Sequence, residues 1–173
     1  EGVLLAGLEA VRDAGRLEES QTLYTEALDV LKRAFPGDHY RVAAAMNNVG
    51  LVLSDRGDNA GAAKYLRESI EIHLRVGTGK DALLAVSMVN LAGSLYATND
   101  LPGAETMMRD GLQILKEILP PDAPEVLSVL ANLQVVLQKQ GKLAEAEACA
   151  IEALDGRRRL LGSEHLQTLI SVI

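Results

Sequence analysis

Apolar side chains recur along this chain at three- and four-residue spacing. The sets are Leu4, Leu8 and Val11; Met46, Gly50 and Leu53; Met88, Ala92 and Leu95; and Leu130, Gln134 and Leu137, with Gln134 a polar exception. That spacing puts each set on one face of a helix. Strand-type alternation with β-branched or aromatic enrichment is missing, which argues against a sheet. The sets repeat every 42 residues. Four further registers keep the same step: Asn48, Asn90 and Asn132; Gly15, Gly57, Asn99 and Gly141; Ser20, Ala62, Ala104 and Ala146; and Ala27, Ser69, Gly111 and Ala153. Residues of the last register precede bulky aliphatics, Leu28, Ile70, Leu112 and Leu154. A fixed period of this length is the mark of a repeat array, in which each unit buries its apolar face against its neighbours.

Each copy reads as two helices. The first helices are expected at 2–14, 39–55, 81–97 and 123–140, and the second helices at 17–34, 58–75, 100–118 and 143–160. Between them, the Gly15 register supplies residues that tolerate the left-handed backbone of a tight turn. Phe35-Pro36-Gly37-Asp38 ends one helix and offers Asp38 as cap for the next, and Asp122, three residues before Glu125, has capping-box spacing ahead of Pro124. Asp100 with Pro102 starts a further helix. Small side chains at the Ser20 and Ala27 registers let the two helices of a copy approach closely. Gly111→Ala is expected to be neutral or stabilising if its slot has room for a methyl group. The copies span 1–36, 37–78, 79–120 and 121–162, and 163–173 starts another first helix, so the chain is expected to be a single array over 1–173. The apolar end at Leu166, Leu169, Ile170 and Ile173 is expected to be covered, by more chain or by self-association.

Composition narrows the partners. Lys and Arg number 17 against 24 Asp and Glu, giving a formal charge of −7 and a pI near 5.0. Broad attraction to nucleic acid or to an anionic membrane is disfavoured. No apolar run approaches the roughly 20 residues that span a bilayer. One Cys cannot form an internal disulfide, so a cytoplasmic location is expected.

Taken together, Asn47-Asn48-Val49-Gly50, Asn90-Leu91-Ala92 and Asn132-Leu133 on the first helices, Gly141-Lys142-Leu143-Ala144-Glu145-Ala146-Glu147 opening a second helix, and Leu161-Gly162-Ser163-Glu164-His165 at the last junction resemble the tetratricopeptide repeat family in its 42-residue kinesin-light-chain-like variant. The resemblance covers essentially the whole chain. It implies an all-α, right-handed α-solenoid of antiparallel helix pairs, about four repeats and the start of a fifth. It also implies a concave face, lined by the first helices, that binds peptides or proteins without catalysis. That face would comprise Glu9, Arg12, Asp13, Asn47, Asn48, Leu51, Asp55, Val89, Asn90, Tyr96, Ala131, Asn132, Val135, Gln138 and Lys139. It is mixed and mostly neutral, so the acidic-cargo preference of light-chain grooves is not carried over. Ala6 departs from the Asn register in the first copy.

Candidate chemistry is sparse. Gly77-Thr78-Gly79-Lys80 looks like the end of a phosphate-binding loop, but Leu74 stands where the first Gly belongs, Asp81 follows the Lys, and a helix precedes it. His39 and His165 share one junction register, His73 stands alone, and Cys149 lies in a small-residue stretch, so no metal or nucleophile set forms. Arg157-Arg158-Arg159 near a helix end meets the partial negative charge of unsatisfied carbonyls. The Asn register carries the functional expectation. Asn inside a helix is unfavourable, so each must either bridge to a neighbouring helix or offer a donor and acceptor to the backbone of an extended peptide. The chain is expected to be a non-enzymatic, cofactor-free protein-binding module. The alternative is an oligomerising scaffold or the sensor segment of a larger signalling protein.

Overall fold

The computed structural model describes residues 16–77 and 81–161. Among these, seven helices follow one another without a strand: α1 Leu17–Ala34, α2 Tyr40–Asp55, α3 Asn59–Val76, α4 Ala82–Ala97, α5 Leu101–Ile118, α6 Pro124–Lys139 and α7 Leu143–Leu161. The molecule is all-α, and each helix lies within one residue of its expected bounds. The helix expected at 2–14 and the segment 163–173 lie outside the described residues.

Three turns share one construction. Gly57, Asn99 and Gly141 have φ of 84°, 65° and 78°, and the amide of the following residue donates five residues back: Asp58 to Leu53 O at 2.9 Å, Asp100 to Leu95 O at 2.8 Å and Lys142 to Leu137 O at 2.9 Å. This left-handed C-terminal motif satisfies carbonyls that the helix leaves orphaned. Asp58 and Asp100 then cap the next helix, accepting from Gly61 N at 2.9 Å and Gly103 N at 3.0 Å. A Cβ at Gly61 or Gly103 would lie 2.3 or 2.5 Å from the capping carboxylate. Glycine at that position makes room for the cap.

Two expected caps are corrected. Asp38 does not cap α2; His39 does, its Nδ1 accepting from Arg41 N at 3.1 Å. Stacking fixes the imidazole there, with Phe35 at 4.1 Å and Tyr40 at 4.7 Å between centroids. Asp38 is drawn instead to Arg75 on α3, at 2.5 and 3.1 Å, and that hydrogen-bonded guanidinium holds its carboxyl below the ordinary value. Asp122 does not cap α6 either. The cap residue is Ala123, without a side-chain bond, and Pro124 in the first turn leaves one fewer amide to satisfy.

The helices form two compact units, residues 1–79 and 80–173. In the first, α2 packs against α1 and α3, burying Tyr24 and Leu28 of α1, Met46, Val49 and Val52 of α2, and Ala62, Leu66 and Ile70 of α3. Ser69 Oγ donates to Ala43 O at 2.7 Å, so α3 crosses α2 close enough for a side chain to reach main chain. In the second unit α4–α5, α5–α6 and α6–α7 pack in turn. Leu84, Leu91, Leu130, Leu133 and Leu137 fill its core. Ala104 and Ala146 sit in the small-residue row, as Ala62 does. The slot at Gly111 is tight: a Cβ there would lie 3.1 Å from both Ala85 O and Val89 Cγ2. There is no free room for the methyl group that a stabilising Gly111→Ala requires.

Glu105 ties three segments of the second unit together. Its carboxylate accepts from Arg109 Nε at 3.0 Å, Gln140 Nε2 at 3.0 Å and Lys142 Nζ at 2.6 Å, while Arg109 also donates to Glu145 on α7 at 2.5 Å. The Lys142 bond, aided by Arg109 and Gln140, lowers the Glu105 pKa. A depressed folded value means the stabilisation is complete above the unfolded value, about 4.3, and is lost as pH falls through the folded one. Urea titrations from pH 7 to pH 3 should show Glu105→Gln with less acid-dependent loss than the wild type. A parallel decline in both proteins would show that Glu105 contributes nothing to the acid limb.

Candidate peptide groove

A stripe of half-buried and exposed residues runs along each described first helix. In the first unit it lies on α2. Asn47 is 8% exposed, Asn48 and Leu51 are half-buried, and Asp55 is exposed. Asn47 Nδ2 approaches Asn48 Oδ1 at 3.5 Å, a long contact. Of the expected α2 residues, Asn47 is therefore directed inward and the other three face outward to differing degrees.

In the second unit the stripe is formed by α4 and α6. Val89, Asn90 and Tyr96 are half-buried, Asn132, Val135, Gln138 and Lys139 are exposed, and Ala131 is half-buried. The two helices meet across this face where Lys139 Nζ lies 4.5 Å from the centroid of the Tyr96 ring, a cation–π distance that holds the phenol in place. Asn132 has no side-chain hydrogen bond among the described residues, so its amide is open to solvent. Val86 and Leu83, both exposed, extend the α4 stripe toward its start. Gly93 lies on it one turn after Asn90 and one before Tyr96. The spacing of the Asn register leads directly to these positions, since 86, 90, 93 and 97 share a helix face.

Charge is partitioned between the helices. Residues 82–97 of α4 contain no Asp, Glu, Lys, Arg or His; α2 contains Arg41 and Asp55, and α6 contains Glu125 and Lys139. The second helices carry the ion pairs Arg109–Glu145, Lys116–Glu152 and Arg158–Asp155. Asp55 on α2 and Lys139 on α6 are charged members of the described face, but in a chain that is 24% charged the stripe on α4 carries no charge and presents an amide, aliphatics and one aromatic ring. That is the composition of an interface centre.

Among the described residues no group of three His, Cys, Asp or Glu could hold a metal. Cys149 is half-buried, and burial pushes its thiol up, away from the thiolate form that reacts. His39 is engaged as a helix cap. Among the described residues, no helix is long and apolar enough to cross a membrane.

Comparison with known proteins agrees with this anatomy. One tetratricopeptide repeat model matches residues 9–75 and 42–117, and a second matches 126–167. Among solved structures, BtubC (BKLC) from P. vanneervenii aligns over 98% of this chain and 68% of its own, with TM-score 0.84 and 18% identity. A candidate kinesin light chain from Podosopora anserina, built of nearly identical TPR-like repeats, aligns over 98% of this chain and 80% of its own, with TM-score 0.87 and 17% identity. At such identities the likeness is one of fold. No curated protein matches the chain. The matched models cover most of the sequence, the helix pairs follow their period, and the chain belongs to the tetratricopeptide repeat family.

Proposed function

Tetratricopeptide repeats mediate protein–protein interactions, and we propose that this chain does so through the stripe on its first helices, without catalysis. The observation that supports it is the charge partition: ionic side chains crowd the second helices while α4 has none. A stripe with amides at Asn48, Asn90 and Asn132 suits the main chain of an extended peptide, which has one donor and one acceptor per residue to satisfy. Leu51, Val135 and Tyr96 supply apolar contact, and Asp55, Gln138 and Lys139 a polar margin. Reading the two units as one continuous right-handed solenoid over 1–173, working in the cytoplasm, belongs to the same proposal. A second reading, an oligomerising scaffold, draws on the exposure of Leu143 and Ile151 of α7, at 67% and 54%. Sedimentation velocity across a hundredfold concentration range tests it, and an unchanging monomer excludes it.

The groove is tested with peptides selected from a random nonapeptide display library on the intact protein. Replacing Asn48, Asn90 and Asn132 together by Ala removes ligand hydrogen bonds of about 0.5–1.5 kcal/mol each, so affinity should fall at least about tenfold. For Asn132→Ala alone, which removes a solvated amide, thermal stability should hold or rise, because Ala is the better helix former. Unchanged affinity with a large drop in melting temperature would assign the register to bridging between helices.

A further inference from the structure

Each described helical glycine but one has a local reason to lack a side chain. A Cβ at Gly50 would lie 2.7 Å from Leu66 Cγ, at Gly111 3.1 Å from Ala85 O and at Gly156 2.3 Å from Leu127 Cδ2, while Gly61 and Gly103 accommodate the capping carboxylates. Gly93 has no such reason. It stands in the interior of α4 with no positive φ, and a Cβ there would meet nothing within 4 Å. Glycine is the poorest helix former after proline, so the chain carries a destabilising residue at a site where neither packing nor backbone geometry asks for it.

Gly93 also sits in the middle of the exposed stripe. The same register holds Leu51 on α2 and Val135 on α6, with Glu9 in the first copy, so the copies on either side place an aliphatic side chain where α4 has bare main chain. The gap is bordered along α4 by Asn90 on one turn and Tyr96 on the next, and Lys139 steadies the Tyr96 ring from α6. Close approach to backbone is a use that glycine alone permits.

The geometry points to Gly93 as the floor of a side-chain subsite: a notch in which the aliphatic side chain of a bound peptide takes the place of the side chain that α4 lacks. This rests on the groove reading and gives it a specificity. The bound segment is uncharged directly over Gly93, because residues 82–97 offer no counter-ion and the ammonium of Lys139 is engaged on the Tyr96 ring, so a charge laid there would be desolvated unpaired. Asn90 stands half-buried beside the notch, and the Tyr96 ring provides the apolar wall. The peptide is thus an extended, uncharged segment with a Leu-, Ile- or Val-like side chain at the position over Gly93.

The experiment uses the intact protein and the same random nonapeptide library, selected in parallel on wild type and on Gly93→Leu. Synthetic copies of the wild-type-enriched peptides are then titrated against wild type, Gly93→Ala, Gly93→Leu and Asn132→Ala. Wild type should enrich peptides with one aliphatic residue at a fixed position and no Asp, Glu, Lys or Arg next to it. Gly93→Ala should weaken their binding about tenfold, and Gly93→Leu further, while the melting temperature of Gly93→Ala holds or rises. Binding loss without stability loss separates a ligand role from a structural one. Peptides sensitive to Asn132→Ala and indifferent to Gly93→Ala and Gly93→Leu would overturn the notch and leave the groove standing. Peptides indifferent to all three, or no enrichment at all, would overturn both, and so would association of the protein with itself through this face. Enrichment of charged sequences, or a lower melting temperature for Gly93→Ala, would overturn the notch alone.

Discussion

Leu66→Ala is expected to lower stability by about 2–5 kcal/mol, read as a shift of the urea midpoint with the slope unchanged. Leu66 is 0% exposed and packs directly on the main chain at Gly50, where a Cβ would lie 2.7 Å from its Cγ. Truncation removes the transfer energy of the lost carbons and leaves a cavity against a residue with no side chain to relax into it. The cost should therefore fall toward the upper part of that range. The second unit shows how the bulk is traded: in the same registers it holds Ala92 and Met108, both buried. An unbranched thioether bends around a methyl group where a branched Leu does not. Gly50→Ala should accordingly destabilise by about 1–3 kcal/mol alone and recover most of that when combined with Leu66→Met. Additive losses in the double variant would show that the two positions do not share a packing site.

Gly111→Leu should cost about 1–3 kcal/mol or more, because its first added carbon already lies 3.1 Å from the Ala85 carbonyl oxygen. A backbone carbonyl moves only with its helix, so α4 and α5 must separate and loosen the packing of Met88, Met108 and Leu112. Gly111→Ala gains helix propensity of about 0.5–1 kcal/mol and loses a comparable amount to that contact, so it should stay within about 1 kcal/mol of wild type. Gly111→Ser offers a useful comparison, since Ser69 in the same register turns this closeness into a hydrogen bond to Ala43 O at 2.7 Å. Denaturation midpoints should rank Ala and Ser well above Leu. A stabilising Leu would mean that this face of α5 is not packed on α4.

Periodicity and turn chemistry are local properties, and they carried the helices, their bounds and the left-handed turns at Gly57, Asn99 and Gly141 in the sequence itself, because only a few residue types fit those backbones. That Asn48, Asn90 and Asn132 share one helix phase was legible for the same reason, whereas the burial of Asn47 beside Asn48 was not. Competition between partners was not legible. Asp38 has the better capping side chain, yet Arg75, 37 residues away in sequence, claims it and leaves the cap to a His39 held by stacked rings. Clearance was equally hidden, because Gly50, Gly93 and Gly111 are the same letter in the same kind of helix. Only the tertiary structure showed that the neighbouring helix presses on Gly50 and Gly111 and leaves Gly93 open, since that distance is set by how two helices cross and not by either one alone.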